Sequence, residues 1–315
     1  MVPMSSKPRV ALVLAAALTL AGCSAISPSG PNAAGPVKGP LTVVASFYPL
    51  EYITQRIGGD RVRLTSLTKP GAEPHDLELS PQDVASVSGA DLVVYLRGFQ
   101  PSVDAAVSAE ASGKAFDAST KANLDLTYTP IEAGKQVAEA AGSTDPHFWL
   151  DPTRLRAVAA ALATRMEQVD PAARATFAAN EASLSKDLTA LDAQYRAGLA
   201  HCANKDLITS HNAFGYLAQR YHLRQVGITG LTPDAEPNAR ELADVTNFVR
   251  THHVTTIYYE TLVSPAIADT VARETGARTE VLDPIEGLNK LSQGRDYLAI
   301  MRANLANLRS GQGCS

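Results

Sequence analysis

Several things are scarce in this chain. It has one tryptophan and three cysteines among 315 residues. It has no basic run: 28 lysines and arginines face 32 aspartates and glutamates, a net charge of −4. Binding to a polyanion depends on clustered cations that displace counterions, so this balance argues against nucleic acid as a partner. No His-Glu-x-x-His pair and no serine-nucleophile motif occurs, which removes two common signatures of hydrolases. Long apolar runs are missing too. Val10–Ala21 is too short to span a bilayer, which takes about 20 apolar residues.

That short run has a clear role. Lys7 and Arg9 precede it, and it ends in Leu20-Ala21-Gly22-Cys23, which resembles the lipobox of bacterial lipoproteins. A positive start, a short apolar stretch and small residues at the cut site predict an export signal over 1–22. The resemblance makes Cys23 the lipidated first residue of the mature protein. Residues 23–40 are rich in Ser, Gly, Pro and Ala and read as a flexible tether. Acyl chains on Cys23 would hold an exported domain on the outer face of the cytoplasmic membrane. Removing 1–22 deletes two basic residues and no acids, leaving a net charge near −6. Of the remaining cysteines, Cys202 and Cys314 suggest a disulfide in an oxidising compartment, with two buried free thiols as the alternative.

From Leu41 onward, strand and helix patterns alternate. Strands are predicted at 41–46, 62–67 and 91–96, and again at 206–210, 223–228, 254–259 and 279–282. Helices are predicted from Tyr48 to Ile57, after the Ser80-Pro81 cap, from Pro152, around Leu242, Val245 and Phe248, and between Ser264-Pro265 and Gly276. Residues 129–143 are polar and read as a surface loop or a short helix. Between the two alternating stretches, Phe177, Leu184, Leu188, Leu191 and Tyr195 recur at helical spacing. A helix from Pro171 to about Leu199 would be ~42 Å long. The expectation is an α/β protein of two lobes, each a parallel sheet flanked by helices, joined by a long rigid helix. The N-terminal lobe is placed at 41–170, the linking helix at 171–200 and the C-terminal lobe at 201–315.

The stretch Asp145-Pro146-His147-Phe148-Trp149-Leu150-Asp151-Pro152 holds a histidine between two Asp-Pro steps, each of which biases its aspartate away from helix. In this reading His75, His147, His211 and Asp283 all lie on loops or helix starts that follow strands, where parallel sheets bind ligands. Two come from each lobe. Three imidazoles and one carboxylate suit tetrahedral zinc. His252 and His253 end a helix, His222 lies at another helix end and His201 sits beside the expected disulfide, so these four read as structural or surface residues.

Gly71-Ala72-Glu73-Pro74-His75-Asp76, the Asp145–Pro152 stretch, Ser210-His211-Asn212-Ala213-Phe214-Gly215-Tyr216 and Leu282-Asp283-Pro284 together resemble the zinc/manganese solute-binding proteins of ABC transporters. The likeness runs from about Leu41 to Cys314. It implies one metal between two lobes, held by His75, His147, His211 and Asp283, and a monomer that delivers the metal to a membrane permease. The third ligand is His in members similar to zinc carriers and Glu in many manganese carriers, so His211 favours Zn2+ over Mn2+. The loop before His147 is short and lacks His, unlike many zinc members. Glu236 and Glu260 also follow strands and are candidates to support ligands. Two other classes remain open: a zinc hydrolase, which would keep a water on the metal, and an adhesin at the cell surface.

Overall fold

The computed structural model describes residues 39–128 and 142–315. The export signal, Cys23, nearly all of the tether and most of the 129–143 loop lie outside them. Among the described residues no helix is long and apolar enough to cross a membrane.

Two four-stranded parallel sheets carry the two lobes. In the first, β1 (Leu41–Ala45), β2 (Val62–Ser66), β3 (Leu92–Tyr95) and β4 (Ala115–Asp117) lie in the order β2-β1-β3-β4. In the second, β5 (Asp206–Thr209), β6 (Arg224–Gly227), β7 (Thr256–Tyr259) and β8 (Arg278–Val281) lie in the order β6-β5-β7-β8. Each sheet therefore reverses its winding beside its first strand, the arrangement that opens a crevice at the carboxyl ends.

Period-2 alternation feeds two cores from every central strand. In the first lobe Leu41, Val43, Leu92 and Val94 join the main core, while Val44, Val93 and Tyr95 pack on the other face with Val87 of α2 (Pro81–Gly89) and Val103 and Val107 of α3 (Pro101–Glu110). In the second lobe Leu207 and Tyr258 enter the main core, while Ile208 and Ile257 meet Val245 and Val249 of α8 (Ala239–Thr251) and Val271 of α9 (Ala266–Thr275). The main core is continuous from one lobe to the other.

Helices fill that shared core. After α1 (Tyr48–Gly58) and the short α4 (Ser119–Ala122), α5 (Pro152–Val169) buries Leu155, Val158, Ala159, Leu162 and Met166 on one face. A 3-10 turn at Pro171–Ala173 leads into α6 (Arg174–Gly198), whose 25 residues give a strut of ~37 Å. Arg56 of α1 pairs with Asp187 of α6 at 2.7 Å, and the Tyr195 hydroxyl of α6 donates to the Met301 carbonyl of α10 (Tyr297–Gly311) at 2.7 Å. The strut is thus fixed to both lobes. Cys202 and Cys314 form a disulfide, which ties the end of α10 to the entry of the second lobe.

Candidate metal centre

Four loops bring their side chains together; three follow strands, while the loop of His147, expected after a strand, is preceded by the short α4. His75 lies between β2 and α2, His147 precedes α5, His211 follows β5 and Glu286 follows β8. One donor atom from each lies within 4.8 Å of all the others, and all four residues are buried. Glu286 Oε1 is the hub: the Nε2 atoms of His75, His147 and His211 stand 3.3, 3.1 and 3.4 Å from it.

Each loop is shaped by its own sequence. Glu73 accepts from the backbone N–H of His75 at 2.9 Å. Gln100, almost fully buried, donates to the Pro74 carbonyl at 3.1 Å, and the Phe99 ring meets the His75 ring edge-on at 4.6 Å. At the second histidine, Asp145 and Asp151 keep out of the helix, as their following prolines require. Asp151 instead caps α5 by accepting from Thr153 N at 2.8 Å. Asp145 accepts from His147 N at 2.9 Å and faces His147 Nδ1 at 2.8 Å. The helix α7 (Gly215–Tyr221) starts four residues after His211. Its first residue must be glycine because a Cβ there would stand 2.5 Å from Asp145 Oδ2.

Asp283, expected as the fourth ligand, lies outside the donor group. The carboxylate in the donor group is Glu286. Asp283 Oδ1 accepts from Ile285 N at 2.8 Å, and its Oδ2 takes the Thr261 hydroxyl at 3.2 Å. Ile285 has φ of 60°, a left-handed conformation rare for a β-branched residue. That turn, held by the Asp283 side chain, swings Glu286 toward the three histidines. A strand-and-helix pattern carries no signal of a left-handed isoleucine, so only the Asp-Pro step was readable there.

Carboxylates back two of the imidazoles. Glu260 faces His211 Nδ1 at 2.8 Å, as Asp145 faces His147 Nδ1. This pairing holds each ring with Nε2 aimed at the centre. Glu236 is exposed and takes no part in the donor group. His201, His222, His252 and His253 are outside it as well. His252 stacks on Phe248 and faces Asp206 at 3.1 Å, and His222 and His253 occupy left-handed turns.

Charge in this pocket is balanced by contact. Burial opposes the ionised form of Glu286, but the three imidazoles outweigh it and hold its carboxyl well below the usual carboxylate range. Burial likewise opposes a charged His147 or His211, yet Asp145 and Glu286 raise the first and Glu260 and Glu286 raise the second well above an ordinary histidine. Burial pushes the Asp283 carboxyl up to about 6. His211 Nε2, Glu260 Oε2 and Glu286 Oε2 are buried with no hydrogen-bond partner. Unpaired buried donors and acceptors are costly, so the unpaired His211 Nε2 and Glu286 Oε2 at the centre call for a ligand there. A tetrahedron with metal bonds of about 2.0–2.1 Å has edges of about 3.3–3.4 Å, close to the three measured nitrogen–oxygen separations.

The family described as "Zinc-uptake complex component A periplasmic" (ZnuA) matches residues 43–311. The chain belongs to this family. It is 35% identical over 276 residues to the high-affinity zinc uptake system protein ZnuA of Bacillus subtilis, covering 85% of this chain and 86% of that protein. It is 33% identical over 283 residues to the zinc-binding lipoprotein AdcA of Streptococcus pneumoniae, covering 86% of this chain but 56% of the longer AdcA. Among solved structures, the Zn(II)-bound ZnuA-like domain of S. pneumoniae AdcA superposes with a TM-score of 0.72 at 33% identity, over 87% of this chain and 99% of that one. The laminin-binding protein Lmb of Streptococcus agalactiae, described as a bifunctional protein with adhesin and metal transporting activity, gives 0.74 at 31% identity, over 86% and 99%. ZnuA-family neighbours share the two-lobed plan with a long connecting helix.

Proposed function

We propose that the protein is an extracytoplasmic receptor that captures Zn2+ between its lobes and hands it to the membrane permease of an ABC transporter. The observation that carries this reading is the buried group of His75, His147, His211 and Glu286, two donors from each lobe. Zinc is the cargo. The imidazoles offer Nε2 because Asp145 and Glu260 take up Nδ1 of His147 and His211. Three nitrogens and one carboxylate oxygen suit zinc, whereas manganese favours more numerous oxygen donors. Both lobes supply donors, so the ion ties them together and separating them dismantles the cage. Lipidation at Cys23 would keep the receptor beside its permease.

Four protein donors fill a tetrahedral ion and leave no position for a reactive water, which argues against a hydrolase. An adhesive role of the kind described for Lmb would draw on exposed surface and nothing in the buried group. Titration of the exported domain with zinc should give one ion per chain. Melting temperature should rise with excess zinc, by an equivalent of about 2.7 kcal/mol at a hundredfold excess over Kd. His147→Ala should abolish both effects. Tight zinc that survives His147→Ala, or ester turnover lost with it, would overturn the receptor reading.

A further inference from the structure

One side chain joins the ligand loops of the two lobes through the interior. Trp149 is fully buried two residues after His147, and its indole N–H donates to the Pro284 carbonyl, two residues before Glu286, at 2.8 Å. Its ring lies 5.2 Å from the His147 ring and is packed by Phe47 at 4.9 Å and Phe99 at 5.6 Å. The Trp149 carbonyl in turn accepts from the Tyr297 hydroxyl of α10.

The other bonds that shape the Glu286 loop come largely from its own lobe. Asn304 of α10 bonds both the N–H and the carbonyl of Asp283, at 3.0 and 2.7 Å. The Asp283 side chain holds Ile285 N. From the opposite lobe, His75 and His147 face the Glu286 carboxylate itself, while the loop backbone takes the Trp149 indole and, beyond Glu286, the N–H of the exposed Gly71, which donates to the Leu288 carbonyl at 2.8 Å. Among the described residues, only the indole gives that backbone a buried hydrogen bond from the opposite lobe. Without it the Pro284 carbonyl would lose its partner, and the turn, still held within its own lobe by Asp283, would no longer be tied to the loop that carries His147.

We propose that Trp149 is a positioning residue that sets the distance between the Glu286 carboxylate and the N-terminal lobe's imidazoles, and so makes the cage select a small tetrahedral ion. The inference rests on the reading that these four groups bind zinc. A cage held to fixed edges favours an ion content with four short bonds. A cage whose carboxylate can retreat loses zinc affinity but costs a larger, higher-coordinate ion such as Mn2+ little.

The single tryptophan makes a selective test possible. Incorporating β-(3-benzothienyl)alanine in place of tryptophan swaps the indole N–H for sulfur at position 149 alone and keeps the ring shape. Trp149→Phe removes the N–H more crudely. Zinc and manganese affinities are measured by competition with a chromophoric chelator. Loss of a partner that orients metal ligands should cut zinc affinity by about 10- to 100-fold. Manganese affinity should change less, because a larger, higher-coordinate ion tolerates a retreating carboxylate, so the zinc-to-manganese ratio drops. A merely structural role would lower both affinities together. An unchanged ratio in the sulfur analogue overturns the inference. His147→Ala in the same assay separates the two claims: if that variant keeps tight zinc, the binding reading itself has failed.

Discussion

At the scale of residues, two acids three positions apart do different work. Asp283 holds the left-handed turn at Ile285 through Ile285 N, and Glu286 receives three imidazoles. Glu286→Gln should therefore lower zinc affinity by about 100-fold, or ~2.7 kcal/mol. Asp283→Asn keeps an acceptor for Ile285 N and should cost less than about tenfold. Calorimetry on the two variants checks the ordering, and the reverse order would return Asp283 to the centre. Protons compete with zinc for the same nitrogens. The pKa values of His147 and His211 are raised, so zinc affinity should be steady above them and fall as pH drops through them. The fall should begin at a higher pH than the usual histidine value of about 6.5 predicts. Zinc titrations across pH test it, and a midpoint below that value would contradict the contacts with Asp145 and Glu260. His75 and His211 were legible because each sits on a loop after a strand, and His147 because two Asp-Pro steps flank it. Glu286 was not, since its place depends on one backbone angle that no residue pattern announces.

Among the elements, strands were readable as apolar runs or, for Val62–Ser66, by alternation. Leu41–Ala45 and Leu92–Tyr95 feed two cores at once, so they read as continuous apolar runs. The short edge strand β4 and the Ala-rich α3 lack that contrast, and the pattern did not mark them. Ser80 was legible as a cap, and it forms a full capping box with Asp83. The disulfide belongs to this scale too. It closes a span of 112 residues between the entry of the second lobe and the end of α10. The chain-entropy account puts its contribution at up to about 4–5 kcal/mol. Replacing both cysteines with serine should lower the urea midpoint accordingly. Zinc affinity should shift by less than about threefold, because the ligand loops lie at the other ends of the strands. A large loss of zinc affinity with little loss of stability would show that α10 transmits strain to the Asp283 loop.

For the whole molecule, the alternation of strands and helices around one long amphipathic helix was enough to anticipate two α/β lobes and a strut. It could not show that the lobes share a continuous core, because that depends on how α5 and α6 pack between the sheets. Nor could it show that four donors from four loops meet within 4.8 Å. The central claim is that this meeting point holds one zinc. Crystals grown with zinc and measured on either side of the zinc absorption edge test it most directly. One strong anomalous peak per chain is expected, bonded to Nε2 of His75, His147 and His211 and to the carboxylate of Glu286. A peak held by Asp283 in place of Glu286, or the strongest peak at a site apart from these histidines, would contradict it.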